Sequence, residues 1–158
     1  MKMNDEWMRT ILVSSFAPRD KKNIVEWMMS PGLNLPANTP EPGKMDVNRT
    51  PYMFDILKKM SPDDPTKEVI LVFGSQMGKT TIENAIMGYY MEEEPSPIAF
   101  AFSDDGNLGN YIKNKFDPLL ASNARLKSLL RSEGSGSADS MKSKILPGGF
   151  IKFLSGKS

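Results

Sequence analysis

The residues with the clearest chemistry are Gly74-Ser75-Gln76-Met77-Gly78-Lys79-Thr80-Thr81. Glycines at 74 and 78 let main-chain N–H groups turn inward around an anion, and a helix beginning directly after them aims its positive end at the same point. Lys79 adds a mobile ammonium for β- and γ-phosphates, and the Thr80 hydroxyl is the group expected to ligate magnesium. Gln76 lies in the loop itself, where it either addresses a γ-phosphate or only stiffens the turn. The ligand implied is a nucleoside triphosphate. The pattern is a variant, because the common form has its first glycine where this chain has Phe73, one position before Gly74.

Such a loop works only between a strand and a helix, and both are legible. Glu68 to Phe73 contains five consecutive apolar residues, a run that suits a central parallel strand covered on both faces. After the loop, Ile82, Ala85, Ile86, Tyr89 and Tyr90 recur at helical spacing, and Pro95 ends the segment. Pro97 to Phe102 reads as a second buried strand, closed by Ser103-Asp104-Asp105-Gly106. An apolar run ending in acids invites a role in holding water on magnesium. That role needs a strand beside the first one, and peripheral strands of many ATPases also end in polar residues, so the second strand is a poor candidate.

Upstream, Trp7, Met8, Ile11 and Leu12 share one helical face, and Ile24, Trp27 and Met28 another, with Asp20 as its expected cap. The two tryptophans read as anchors rather than as a ligand site. Four prolines and two glycines within residues 31–48 predict an extended connector. Thr50-Pro51 then signals the start of a helix with Tyr52, Ile56, Leu57 and Met60 along one stripe. Downstream, helix is predicted from about Leu108 to Arg131, restarted at Asp117-Pro118, with Leu119, Leu120, Leu126, Leu129 and Leu130 as core. Ser132 to Ser140 is a polar loop by composition, and Pro147-Gly148 fits the two central residues of a type II turn in a hairpin over residues 145–154. Ser155-Gly156-Lys157-Ser158 imitates a phosphate loop in text only.

Composition narrows the function classes. At 158 residues and 39% hydrophobic content, one domain with a proper core is expected. The absence of cysteine and histidine removes disulfides, thiolate and imidazole chemistry and zinc clusters. No leader or membrane-spanning run is legible, which makes cytoplasm the default. Residues 1–112 carry 11 basic and 16 acidic groups, whereas residues 113–158 carry 9 basic and 3 acidic ones. The C-terminal third could face a polyanion, although a solvated surface is the simpler reading.

In this order the pieces resemble the N-terminal part of the large terminase subunit of tailed bacteriophages, the lambda-type GpA family. The resemblance is carried by Glu26-Trp27, Glu41-Pro42-Gly43, Arg49-Thr50-Pro51-Tyr52, the loop from Gly74 to Thr80, Asn84, Gly88-Tyr89, Pro95, Asp117-Pro118 and Pro147-Gly148-Gly149. It implies a P-loop NTPase-like α/β fold, an open and mainly parallel sheet flanked by helices and incomplete at its C-terminal side. Residues 1–48 would form a helical extension with a Pro-rich connector, and residues 49–158 the N-terminal part of the ATPase domain.

By the same resemblance, ATP hydrolysis with Mg2+ would drive double-stranded viral DNA through the portal of a procapsid, in the host cytoplasm and away from any membrane. A small terminase subunit would be the partner, and the full-length protein a homo-oligomer that also carries an endonuclease. Lys79 would act in catalysis and Thr80 on the metal, while Tyr52 would pack on the adenine and Arg49 contact the nucleotide. Tyr52 equally suits a core position beside Ile56, and Arg49 a surface charge. Ser75 stands where some related motors carry an arginine, so any arginine finger comes from elsewhere. The family's aspartate-glutamate pair falls beyond the Gly149 strand and past Ser158, so this polypeptide alone is expected to turn ATP over slowly or not at all. Two other readings stay open: a small partner-binding remnant that docks through its Met-rich helices, with twelve methionines in the chain, or another P-loop translocase such as a helicase.

Overall fold

Most helices lie near their local signals, whereas not all strands do, and the partners of each element do not follow them. The computed structural model describes residues 21–130 and 142–156. The expected helix around Trp7 to Leu12, the Asp20 cap and the loop over 132–140 lie outside the described residues. The elements are α1 (Ile24–Trp27), β1 (Asn34–Leu35), β2 (Gly43–Lys44), α2 (Met53–Lys59), α3 (Lys79–Glu92), β3 (Ile98–Phe102), α4 (Asp105–Tyr111), α5 (Asp117–Ser122), α6 (Ala124–Leu129), β4 (Ser143–Leu146) and β5 (Gly149–Ser155).

The sheet is mixed and has the order β3-β5-β4. β3 and β5 run parallel, with Ile98 opposite Ile151 and Phe100 opposite Phe153. β4 and β5 form the expected hairpin, and Gly148 takes φ 89 as the turn demands. Phe153 packs against Phe100 and Phe116, and Tyr111 lies against Phe100 and Phe102, so α4 and the turn after it cover one face of the sheet. The other face is open, with Phe150 and Leu154 both 43% exposed.

The sheet is mixed where the resemblance implies a mainly parallel one, and no residue of β3 is buried although its apolar run predicts a buried strand. Three further expectations are corrected. Residues 68–73 are extended but join no strand in the described sheet, and Ile70 and Val72 are 77% and 88% exposed. Only Leu71 and Phe73 turn toward the core. A run of apolar residues is covered on both faces only when neighbouring strands bring helices to both sides, and no neighbour pairs with it among the described residues. Residues 31–48 form no loose connector. Leu33, Met45 and Val47 are buried, and Asn34 and Leu35 pair antiparallel with Lys44 and Gly43. Finally, Tyr52 leaves the stripe expected of it and is 44% exposed, while Met53 and Leu57 fill the core.

Helix α3 is the central post. Ile82, Ala85, Met87, Gly88, Tyr89 and Met91 are all buried, a wider apolar surface than the single stripe the spacing predicts. Gly88 is where α1 crosses it: a Cβ there would lie 2.6 Å from the edge of Trp27. The Trp27 indole donates to Glu92 at 2.8 Å, and Arg125 of α6 pairs with Glu92 while its guanidinium stacks over Trp27. Trp27 is fully buried, the anchor its type suggests. Its helix is capped by Asn23, whose side chain accepts from the Glu26 N–H.

Candidate phosphate-binding cleft

The approach to α3 is built from residues in unusual backbone conformations. Gln76 has φ 60 and Gly78 has φ 79, so left-handed residues alternate through the loop, a geometry that gathers main-chain N–H groups on the inside of a turn. Gly78 occupies the N-cap position of the 14-residue helix, and no side chain caps it. The first N–H groups of the helix therefore have no intrahelical acceptor and add their dipole to the loop. Gly78 is needed for space as well as for φ, since a Cβ would meet the Met53 methyl at 2.4 Å.

Lys79 folds back over this loop, its Nζ donating to the carbonyls of Phe73 and Gly74 at 3.1 Å each. An ammonium held only by two carbonyls at an exposed site exchanges them readily for a stronger, anionic acceptor. Tyr52 supports the loop from the other side: its hydroxyl donates to Met77 O at 3.3 Å, and its ring meets Phe73 edge-on. Arg49 stands nearby, paired with Glu41 at 2.7 Å.

These groups share one cleft of about 580 Å³. One wall is the loop from Gln76 to Thr81, a second is the segment from Arg49 to Met53, and the connector from Leu35 to Asp46 bends over as a third. The volume is that of a small-molecule site. Of the residues singled out by sequence, Arg49, Tyr52, Gln76, Met77, Gly78, Lys79, Thr80 and Thr81 line the cleft, whereas Gly74 and Ser75 do not. The structure also brings in groups that sequence reasoning missed, namely Asn84 on α3 and Asn114 and Lys115 after α4. Asn84 had a signal: it follows Thr80 by four positions, a polar residue inside an otherwise apolar helical surface.

The acids after β3 are occupied elsewhere. Asp104 accepts from the Asn107 N–H at 2.7 Å and from Ser103 at 2.8 Å, capping α4. The Asn107 N–H holds its carboxyl below the usual carboxylate range. Asp105 pairs with Lys142 at 2.8 Å and accepts from Ser155, and those bonds lower its pKa as well. Neither lines the cleft, and among the described residues no group of three or more acids could hold a metal ion. For a cation the cleft offers the half-buried Thr80 hydroxyl on the loop and, on the connector wall, the carboxylates of Glu41, which pairs with Arg49, and of Asp46, which accepts from the Asn48 N–H.

A mixed sheet flanked by helices, with a left-handed loop opening on a helix N-terminus, is an α/β arrangement consistent with a nucleotide-binding ATPase domain. Residues 39–158 match the family model of the phage terminase large subunit gpA, ATPase domain, and the chain belongs to that family. It is an ATPase part of a phage DNA-packaging motor. No curated protein and no solved structure matches the chain.

Proposed function

We propose that the loop from Gly74 to Thr81 is a P-loop that binds ATP with Mg2+, and that hydrolysis there drives viral DNA into the procapsid. The observation that carries this reading is the alternation of left-handed Gln76 and Gly78 ahead of an uncapped helix N-terminus, with the Lys79 ammonium poised over it. Lys79 takes the β- and γ-phosphates and stabilises charge developing on them. Thr80 supplies a hydroxyl to the cation, whose chemistry is to neutralise the transferring phosphate. Tyr52 and Arg49 reach the nucleotide from the opposite wall.

In the full-length protein the residues described here belong to an ATPase domain of a homo-oligomeric motor, with residues 1–48 as its extension. Its partners are double-stranded DNA, a small terminase subunit and the portal, all in the host cytoplasm. The endonuclease is supplied by another part of that protein. The 158-residue polypeptide alone binds nucleotide but turns it over slowly, because Asp104 and Asp105 are committed to a cap and an ion pair, and the carboxylates that do line the cleft, Glu41 and Asp46, are engaged by Arg49 and Asn48. Steady ATP turnover in magnesium buffer would refute that point.

Calorimetric titration of the chain with magnesium ATP tests the site. Replacing Lys79 by Ala removes a charge-assisted contact of about 2 kcal/mol, which corresponds to a loss of about thirtyfold in affinity. Equal affinity in both forms removes the loop from nucleotide binding.

A further inference from the structure

We infer that Asn84 donates a hydrogen bond to the nucleoside half of the bound triphosphate, to an acceptor on its sugar or base, and so reads the nucleoside while the loop holds the phosphates. The inference rests on the triphosphate reading of the loop.

Asn84 is only 5% exposed, yet it forms part of the cleft wall. Its Oδ1 accepts from the Tyr111 hydroxyl at 3.5 Å, and its Nδ2 has no acceptor among the described residues. The amide nitrogen is not among the fully enclosed unpaired groups, so it opens on the cleft, where a ligand acceptor can take the place of water. Burial pushes the Tyr111 phenol well above its ordinary pKa. The protonated hydroxyl donates to Oδ1, which leaves the amide N–H groups directed elsewhere.

Position on the helix says which part of the ligand is met. Thr80 and Asn84 are four residues apart on α3 and so share a face, about 6 Å apart along the axis. Phosphates gather at the helix N-terminus, which places the acceptor for Asn84 beyond them. The connector lines the cleft with Leu35, Pro36 and Met45, apolar surface suited to a sugar or a base, beside the polar Asn38, Thr39 and Lys44.

The test compares magnesium ATP with inorganic tripolyphosphate, titrated calorimetrically against the wild-type chain and the Asn84→Leu form. Asn84→Leu is expected to weaken ATP about tenfold and leave tripolyphosphate unchanged, whereas Lys79→Ala weakens both. Titrations with 2′-deoxy-ATP and GTP then assign the acceptor: an effect of Asn84→Leu lost with the deoxy sugar places it on the ribose, and one that differs between ATP and GTP places it on the base. Equal weakening of ATP and tripolyphosphate, or none, overturns the inference. The Tyr111→Phe form tests the orientation: without the hydroxyl the amide is free to turn, so ATP affinity should fall and tripolyphosphate affinity should not, and an unchanged ATP affinity counts against the inference. Should Asn84→Leu fail to fold, the side-chain amide resonance of Asn84 in the wild-type chain decides: a shift with ATP and none with tripolyphosphate supports the inference, and the reverse overturns it. A wild-type chain that binds tripolyphosphate and ATP equally overturns this inference alone, while one that binds neither overturns the nucleotide reading with it.

Discussion

Replacing Gly78 with alanine tests the loop geometry at its tightest point. At φ 79 an alanine pays the left-handed penalty of roughly 1–2 kcal/mol. Its Cβ also lands 2.4 Å from the Met53 methyl. That methyl ends a flexible side chain, so it moves aside, but Met53 is only 2% exposed and its displacement overpacks the core by about 1 kcal/mol. Together the substitution costs about 2–3 kcal/mol. For a chain of this size each kcal/mol lowers Tm by about 2–4 °C, so a fall of about 4–12 °C is expected in a thermal melt followed by circular dichroism. A second substitution, Met53→Leu, separates the two contributions. It removes the obstructing methyl and should restore about 1 kcal/mol in the Gly78→Ala background, leaving the backbone strain behind. Gln76→Gly should go the other way or be neutral, because glycine relieves the strain at φ 60 while adding chain entropy. If Gly78→Ala melts at the wild-type temperature, the left-handed turn ahead of α3 is wrong and the phosphate-binding argument loses its foundation.

At Gly88, alanine gains about 1 kcal/mol of helix propensity but drives its Cβ to 2.6 Å from the rigid edge of Trp27, so a net loss of about 1–2 kcal/mol is expected in urea denaturation. Trp27→Phe in the same background should recover part of it; no recovery would show that α1 does not cross α3 there. Asp104 has its pKa lowered by the Asn107 N–H, so its cap contribution is complete above the ordinary carboxylate range and fades as pH falls through the lowered value. Asp104→Ala should therefore melt earlier than wild type at pH 7, the two should converge in strong acid, and magnesium ATP affinity should be unchanged in the variant. A large loss of nucleotide affinity would return Asp104 to the metal site.

Local chemistry made much of this chain legible in its sequence. The turn at Pro147-Gly148, the first-turn proline at Asp117-Pro118 and the strand over Ile98–Phe102 all depend on residues a few positions apart and lie where expected, although Asp117 sits inside its helix without capping it and no residue of that strand is buried. The loop before Lys79 belongs with them, because glycine and a following amphipathic helix are sufficient to shape it. Family membership, too, was already present in the order of short motifs.

Only the tertiary structure decided who covers whom. Val72 and Phe73 are adjacent apolar residues, yet one is 88% exposed and the other packs on the core, since burial belongs to the neighbour and not to the residue. Tyr52 left the stripe that spacing suggests and supports the loop, while its neighbour Met53 packs inside. The cleft itself needs a connector that returns over the loop from some forty positions upstream, held by buried Leu33 and Met45. Asn84 was legible as a polar residue on an apolar helix, but the fold alone places it in the cleft wall with its oxygen bonded to Tyr111. Contacts between distant residues cost loop-closure entropy that no local pattern records, and the folded chain alone reveals which of them are made.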